Sequence, residues 1–340
     1  FRRVLFRSLN ECRYSEAAEQ AARFILDRMS TPELLRRFRD GEAAIAAFLD
    51  DYGCFATALL DLYEATLDGA WLDHAIRLAG EMIRRFEDRE SGGLFSTTGE
   101  DPSLVLRTKD DYDGAEPSGN SVAALLLLRL AGMTGREDFR SSAQRTLAAF
   151  SQRLRTVPHA TPQLMVAYQF SRTAPKQIVL AGTPGSAGLA ALLGEVHRHF
   201  VAHRIILRAD AGLLPQTGAM LPIEGQATAY VCENFTCQLP VTQPDQLASL
   251  LTWLCYTAIR FQIITFKRRL HGKTRRNHPS RQSFDTRWTR IESRRCRSRV
   301  RSGRHGPSTC HAGFDLGRAH LQRSSFTGHA RLRRSNQALQ

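Results

Sequence analysis

The chain has 340 residues, is 42% hydrophobic and carries a formal net charge of +14. That charge is segregated: Arg260–Gln340 holds 21 of the 47 Lys and Arg against only Asp285, Glu292 and Asp315, which leaves residues 1–259 with 26 basic and 30 acidic side chains, a net of −4. Bulk basicity therefore does not make the body a nucleic-acid binder; it reads as a mildly acidic segment long enough to bury a core.

Residues 1–8, FRRVLFRS, fit nothing that follows. They read as translated adaptor sequence, a non-native leader outside fold reasoning. The next segment, 9–172, is helical in pattern. Tyr14–Met29 gives a first helix ending near Ser30-Thr31-Pro32, and Leu34–Asp40 reads as connecting structure around a break at Gly41. Ala43–Leu67 reads as one long helix, bent at Gly53, with Tyr52, Ala56, Leu59 and Tyr63 on one face and Leu62 elsewhere on its surface. Trp71–Phe86 differs, since Trp71, Ala75, Leu78, Met82 and Phe86 make a single stripe. The glycine-rich Ser91–Thr98 predicts a turn and short strand.

Four carboxylates follow within seven positions: Asp110, Asp111, Asp113 and Glu116. Pro117 stops any helix arriving from upstream, and Ser118 and Asn120 are placed to cap the next one. Val122–Leu130 is apolar around nearly its whole circumference, which marks a helix surrounded by protein, with Gly132 as its stop. Arg136–Leu154 is again apolar on one face. Helices apolar on several sides thus alternate with helices apolar on one. Inner helices flanked by outer ones build a partial α/α toroid; a plain bundle or an α-solenoid fits the same pattern.

In a toroid, inner-helix ends and their loops converge on the site, which brings the acids together. Asp51, Asp113 and Glu116 are the candidate acid/base groups, with Asp50, Tyr112 and Asn120 as substrate contacts. Carboxylates so grouped suit carbohydrate chemistry. The bland alternative is a solvated acidic loop with ordinary capping.

Residues 173–258 change character. Gln177–Ala181, Ala187–Phe200 and Arg204–Arg208 form a β-α-β pattern, a small α/β insert. Its turn Gly182-Thr183-Pro184-Gly185-Ser186 lacks both the P-loop ending and the dinucleotide spacing, so no cofactor is expected. Glu195, His199 and His203 fall one turn apart without a further ligand, so no metal is expected. Cys232 and Cys237 stand too far apart for a thioredoxin-type redox loop; a disulfide, a redox centre and two semi-buried thiols are all open. The cysteines, seven in all and scattered, favour free thiols in a reducing, cytoplasmic setting. No apolar run of about 18 residues exists, so no membrane span is expected.

Three stretches, DDYGCFATALLDLYEATLD, KDDYDGAEPSGNSVAALLLLRLAGMTG and AYVCENFTCQLPVTQP, together resemble the YyaL-like / spermatogenesis-associated protein 20 family. The resemblance covers about Tyr14 to Leu254. It implies an α/α toroid similar to six-hairpin glycosidases and, in full-length members, a preceding thioredoxin-like domain; that domain and the first hairpins are expected to be absent from this chain. The implied partners are a carbohydrate ligand and that thioredoxin-like domain, and a non-catalytic module serving the domain or a protein client is the alternative function. Sugar epimerisation fits poorly, because it needs a base near neutral pKa and the toroid helices supply only His74.

From about residue 259 to 340 the chain is rich in Arg, Ser and His with no helical stripe. Two readings compete: a gene read out of frame, and an arm whose clustered cations neutralise phosphates. Either predicts disorder.

Overall fold

In the computed structural model, residues 12–100, 104–209, 215–234 and 236–251 are described. The leader at 1–8 and the basic tail at 259–340 lie outside them.

Helix α1 (Cys12–Met29) is followed by a two-stranded antiparallel hairpin, β1 (Leu35–Arg39) and β2 (Glu42–Ala46). Its two-residue turn, Asp40-Gly41, has positive φ at both positions (53° and 85°), the left-handed backbone that a tight hairpin requires. The sequence places a helix over part of this region, because Glu42–Ala47 is rich in alanine and helix propensity favours it. Pairing with Leu35–Arg39 overrides that preference, and the helix starts only at Leu49.

Four helices then form two antiparallel hairpins: α2 (Leu49–Thr66) with α3 (Gly69–Phe86), and α4 (Gly119–Thr134) with α5 (Glu137–Ala149). Local chemistry sets their ends. The Asp68 side chain accepts the Ala70 amide to start α3, and the Ser118 hydroxyl accepts the Ser121 amide to start α4. Helix α4 runs through Gly132 and stops at Gly135, whose φ of 69° supplies the left-handed cap. The stripe Trp71, Ala75, Leu78, Met82 and Phe86 is wholly buried, as expected of an outer helix leaning on an inner one. Around α2 and α4, by contrast, most residues are buried on every side. A short helix, α6 (Ser151–Thr156), separated from α5 at Phe150, leads to α7 (Pro162–Arg172), which packs on α4. Inner helices α2, α4 and α7 thus lie side by side, and outer helices α3 and α5 cover them.

The inner helices point the same way. Gly119 at the start of α4 lies so close to the start of α2 that a Cβ there would sit 2.8 Å from Leu49 Cγ and 3.2 Å from the Asp50 amide nitrogen. One turn further on, Gly53 faces Val122.

The chain then builds a sheet of strand order β4-β3-β5-β6: β3 (Lys176–Ala181), β4 (Arg204–Arg208), β5 (Thr228–Glu233) and β6 (Thr236–Cys237). Strands β3 and β4 are parallel and joined through α8 (Ala187–Arg198); β5 runs antiparallel to β3. Side chains alternate across it with period two. Val179, Ala181, Ile205 and Leu207 join the helical core, while Ile178, Leu180 and Ile206 join a second core with Leu189, Leu192 and Val196 of α8. Burial of both faces explains the continuous apolar runs in β3 and β4. The sheet meets the C-terminal ends of the inner helices. The Arg208 guanidinium donates to the Leu67 carbonyl at 2.8 Å, a cation set at the negative end of α2.

Candidate functional site

The acidic loop lies across the N-termini of the inner helices, and backbone bonds hold it there. The Ser96 carbonyl accepts the Leu49 amide at 3.1 Å, and the Thr108 carbonyl accepts the Ser96 amide at 2.8 Å. Phe95 is stacked under the cations of Arg107 and Lys109, 4.1 and 4.9 Å from its ring centre. Lys109 also bonds Asp88 Oδ2 at 2.7 Å and the Gly92 carbonyl at 2.6 Å. This bond, with the Ser91 and Glu90 amides, holds the Asp88 carboxyl down at about 2.

Asn120 is completely buried and spends its amide on the loop. Its Oδ1 accepts the Leu94 amide at 2.8 Å, while its Nδ2 donates to the carbonyls of Leu94 and Asp110, each at 2.9 Å. Asp113 is similarly committed. Its Oδ1 accepts the Ser118 amide at 2.9 Å, and its Oδ2 accepts the amides of Gln163 at 2.8 Å and Leu164 at 3.3 Å. Its own amide donates to the Ala160 carbonyl at 2.9 Å. The acid that the sequence offers as a proton carrier is thus placed as a cap for α7, and the amide offered as a substrate contact is placed as a clamp. Both functions follow from burial: polar groups out of water must find partners, and the nearest are backbone amides and carbonyls of the loop and of the helix starts.

Asp50 and Asp51 open α2. Asp51 Oδ2 accepts the Phe48 amide at 2.8 Å and an Arg36 N–H at 3.0 Å. Asp50 takes the same guanidinium at 3.3 and 3.4 Å. Burial pushes the Asp51 carboxyl up, and the Phe48 amide opposes that shift. Tyr112 is 58% exposed and Glu116 is exposed as well. The structure therefore brings Asp50, Asp51, Asp113 and Asn120 to one rim, the N-termini of α2, α4 and α7, and sets Tyr112 and Glu116 on its outer lip. A cavity of about 200 Å³ lies instead between α1 and α2, and its walls, Ala18, Ile25, Phe55, Leu62 and Asp61 among them, include no residue of the acidic loop.

Cys232 and Cys237 are joined as a disulfide across β5 and β6, which corrects the free-thiol expectation at this pair: their register makes them direct partners on adjacent strands. His199 is engaged by Glu195 at 2.7 Å, and no group of residues fit to hold a metal ion occurs among the described residues. None of the described helices is long and apolar enough to cross a membrane.

Sequence reasoning missed two features. Arg36 lies in a region read as connecting structure, so its reach over the start of α2 was invisible. Arg129 carried a usable signal, being the one charge in an otherwise apolar run. A half-buried guanidinium calls for counter-charges, and the structure supplies Asp61 at 2.8 Å and Glu64 at 3.0 Å.

The fold is mainly helical: inner and outer helices paired in hairpins, with a small α/β insert on the inner-helix C-termini. Over 212 residues the chain is 42% identical to spermatogenesis-associated protein 20 of Homo sapiens and 40% identical to that of Rattus norvegicus, spanning 60% of this chain and 27% of each relative. An uncharacterized protein of Caenorhabditis elegans is 30% identical over 260 residues, 72% of this chain and 35% of that protein. The chain is thus a relative of spermatogenesis-associated protein 20, spanning about a quarter of the length of those mammalian proteins. No protein-family model matches it. A GH76 alpha-mannanase of Bacteroides thetaiotaomicron overlaps it with a TM-score of 0.34 at 20% identity, over 42% of this chain and 39% of the other.

Proposed function

We propose that this chain presents a binding rim for a hydroxyl-rich, carbohydrate-type ligand where the N-termini of α2, α4 and α7 meet. The observation that carries the reading is that convergence. Three helix N-termini and a carboxyl raised by burial, Asp51, meet the loop that carries an exposed phenol and carboxylate, Tyr112 and Glu116. Asp51 is the proton-carrying group in this reading, and Glu116 the second acid, since both oxygens of Asp113 are taken by amides. Asp50 orients Asp51 through the shared Arg36. A reducing, cytoplasmic location belongs to the same reading and rests on the scattered cysteines other than the Cys232–Cys237 pair.

The second reading is a non-catalytic module that serves a thioredoxin-like domain or a protein client. The commitment of Asp113 and Asn120 to loop structure favours it. A thermal-shift and ligand-observed NMR screen of the chain against mono- and oligosaccharides separates the two. The binding reading expects a shift that Tyr112→Ala abolishes and Asp51→Asn weakens. No response to any sugar, with Asp51→Asn neutral, leaves the module.

A further inference from the structure

We infer that Cys232 and Cys237 are a reversible thiol–disulfide exchange site, reduced by a protein dithiol that enters at Cys237. The two residues are direct Cα partners in the β5–β6 register and carry a disulfide. They are unequal: Cys232 is 5% exposed, whereas Cys237 is open to solvent. Exchange needs a thiolate in line with an accessible sulfur, and only the outer one offers that.

The bond contributes little as a staple. It joins residues only five positions apart, and the entropy removed from an unfolded chain grows with loop length. The hairpin is held without it. Glu233 pairs with Thr236, the Gln238 amide donates to the Val231 carbonyl at 2.9 Å, and Ala229 and Val241 exchange two backbone bonds at 2.8 and 3.0 Å. Opening the disulfide therefore leaves the ladder in place, the condition for a bond that is broken and remade.

The surroundings select a protein over a small thiol. Among the described residues strand β6 is the edge of the sheet, where an extended segment of a partner can add backbone bonds. Leu239, two residues beyond Cys237, is 86% exposed and offers an apolar contact that a tripeptide thiol uses poorly.

The reductant thiolate attacks Cys237 Sγ, and the Cys232–Cys237 bond breaks with its electron pair leaving on Cys232, which takes a proton. The reductant's second thiol then attacks its own sulfur in the mixed disulfide. Its disulfide forms, and Cys237 leaves as a thiolate and is protonated. The pair gains two electrons and two protons; the dithiol is oxidised. No residue of the acidic rim takes part, so this site stands or falls apart from the carbohydrate reading.

The test uses the whole oxidised chain and a thioredoxin whose second active-site cysteine is replaced by serine. The expected result is a covalent adduct mapped by peptide mass to Cys237. Intact thioredoxin should reduce the pair at least about ten-fold faster than the same concentration of glutathione thiol, and Leu239→Asp should slow thioredoxin but not glutathione. An adduct on Cys232, equal rates for the two reductants, reduction only after denaturation, or Cys232 and Cys237 found as free thiols in the air-oxidised folded chain would each overturn the inference.

Discussion

Asp113 Oδ2 accepts the Gln163 amide at 2.8 Å, so a carboxylate fifty residues earlier in the chain caps α7. The local cap position, Thr161, makes no side-chain cap bond of its own, and Pro162 begins the helix. Asp113→Ala removes the acceptor for three amides, those of Ser118, Gln163 and Leu164. Its expected cost is about 2–3 kcal/mol in urea unfolding. Asp113→Asn, which keeps one acceptor oxygen, should cost about half as much. An alanine variant as stable as the parent would show that the cap is not made in solution.

Arg129 sits between α4 and α2 with 14% of its side chain exposed, facing Asp61 and Glu64 at 3% and 2%. Arg129→Met removes a cation that bridges two buried carboxylates. The expected loss is about 3–5 kcal/mol, because truncating one partner of a buried ion pair costs more than the pair contributes. Adding Asp61→Asn and Glu64→Gln should recover part of that loss. Chemical denaturation of the single and triple variants checks both; a triple variant less stable than the single would contradict the account.

Asp88 carries the acid-sensitive part of the loop. Its carboxyl is lowered from 3.8 to about 2, first by the Lys109 ammonium and then by the Ser91 amide. A folded-state value below the unfolded one means that the ion binds protons more readily once the chain unfolds. The stabilisation is therefore complete above the ordinary value and is lost as pH falls from near 3.8 toward 2. Melting temperature against pH for the parent and Asp88→Asn should show a constant gap near neutrality that closes over that acid window.

Gly119 has no room for a side chain. A Cβ would meet the Leu49 side chain at 2.8 Å and the Asp50 amide nitrogen, which cannot move aside, at 3.2 Å. Gly119→Ala should separate the starts of α2 and α4 and destabilise by about 1–3 kcal/mol, despite alanine's better helix propensity. A stabilised variant would mean that the two helices do not meet as closely as described.

Much of the helical body was legible. The Trp71–Phe86 stripe and the all-round apolar Val122–Leu130 run fixed an outer and an inner helix, because burial repeats with the 3.6-residue period of the helix itself. The strand Arg204–Arg208 was read with its observed bounds. The hairpin at 35–46 was not, although Asp40-Gly41 is a hairpin turn signal, because alanine-rich Glu42–Ala47 reads as helix until a partner strand is known. The break in the last outer helix at Phe150 was also missed, since the apolar stripe continues across it.

What the sequence settled by itself is local: stripes that decide which face is buried, and the Ser118 cap, which reaches an amide within one turn; the stop of α4 was placed one turn early, at Gly132 instead of Gly135. Which polar group meets which was decided only by the tertiary structure. Asp113 with Gln163, Asn120 with Leu94, Arg36 with Asp51 and Arg129 with Asp61 are separated by 15 to 68 positions. Packing brings such partners together, and a buried donor bonds whatever acceptor the fold leaves within reach.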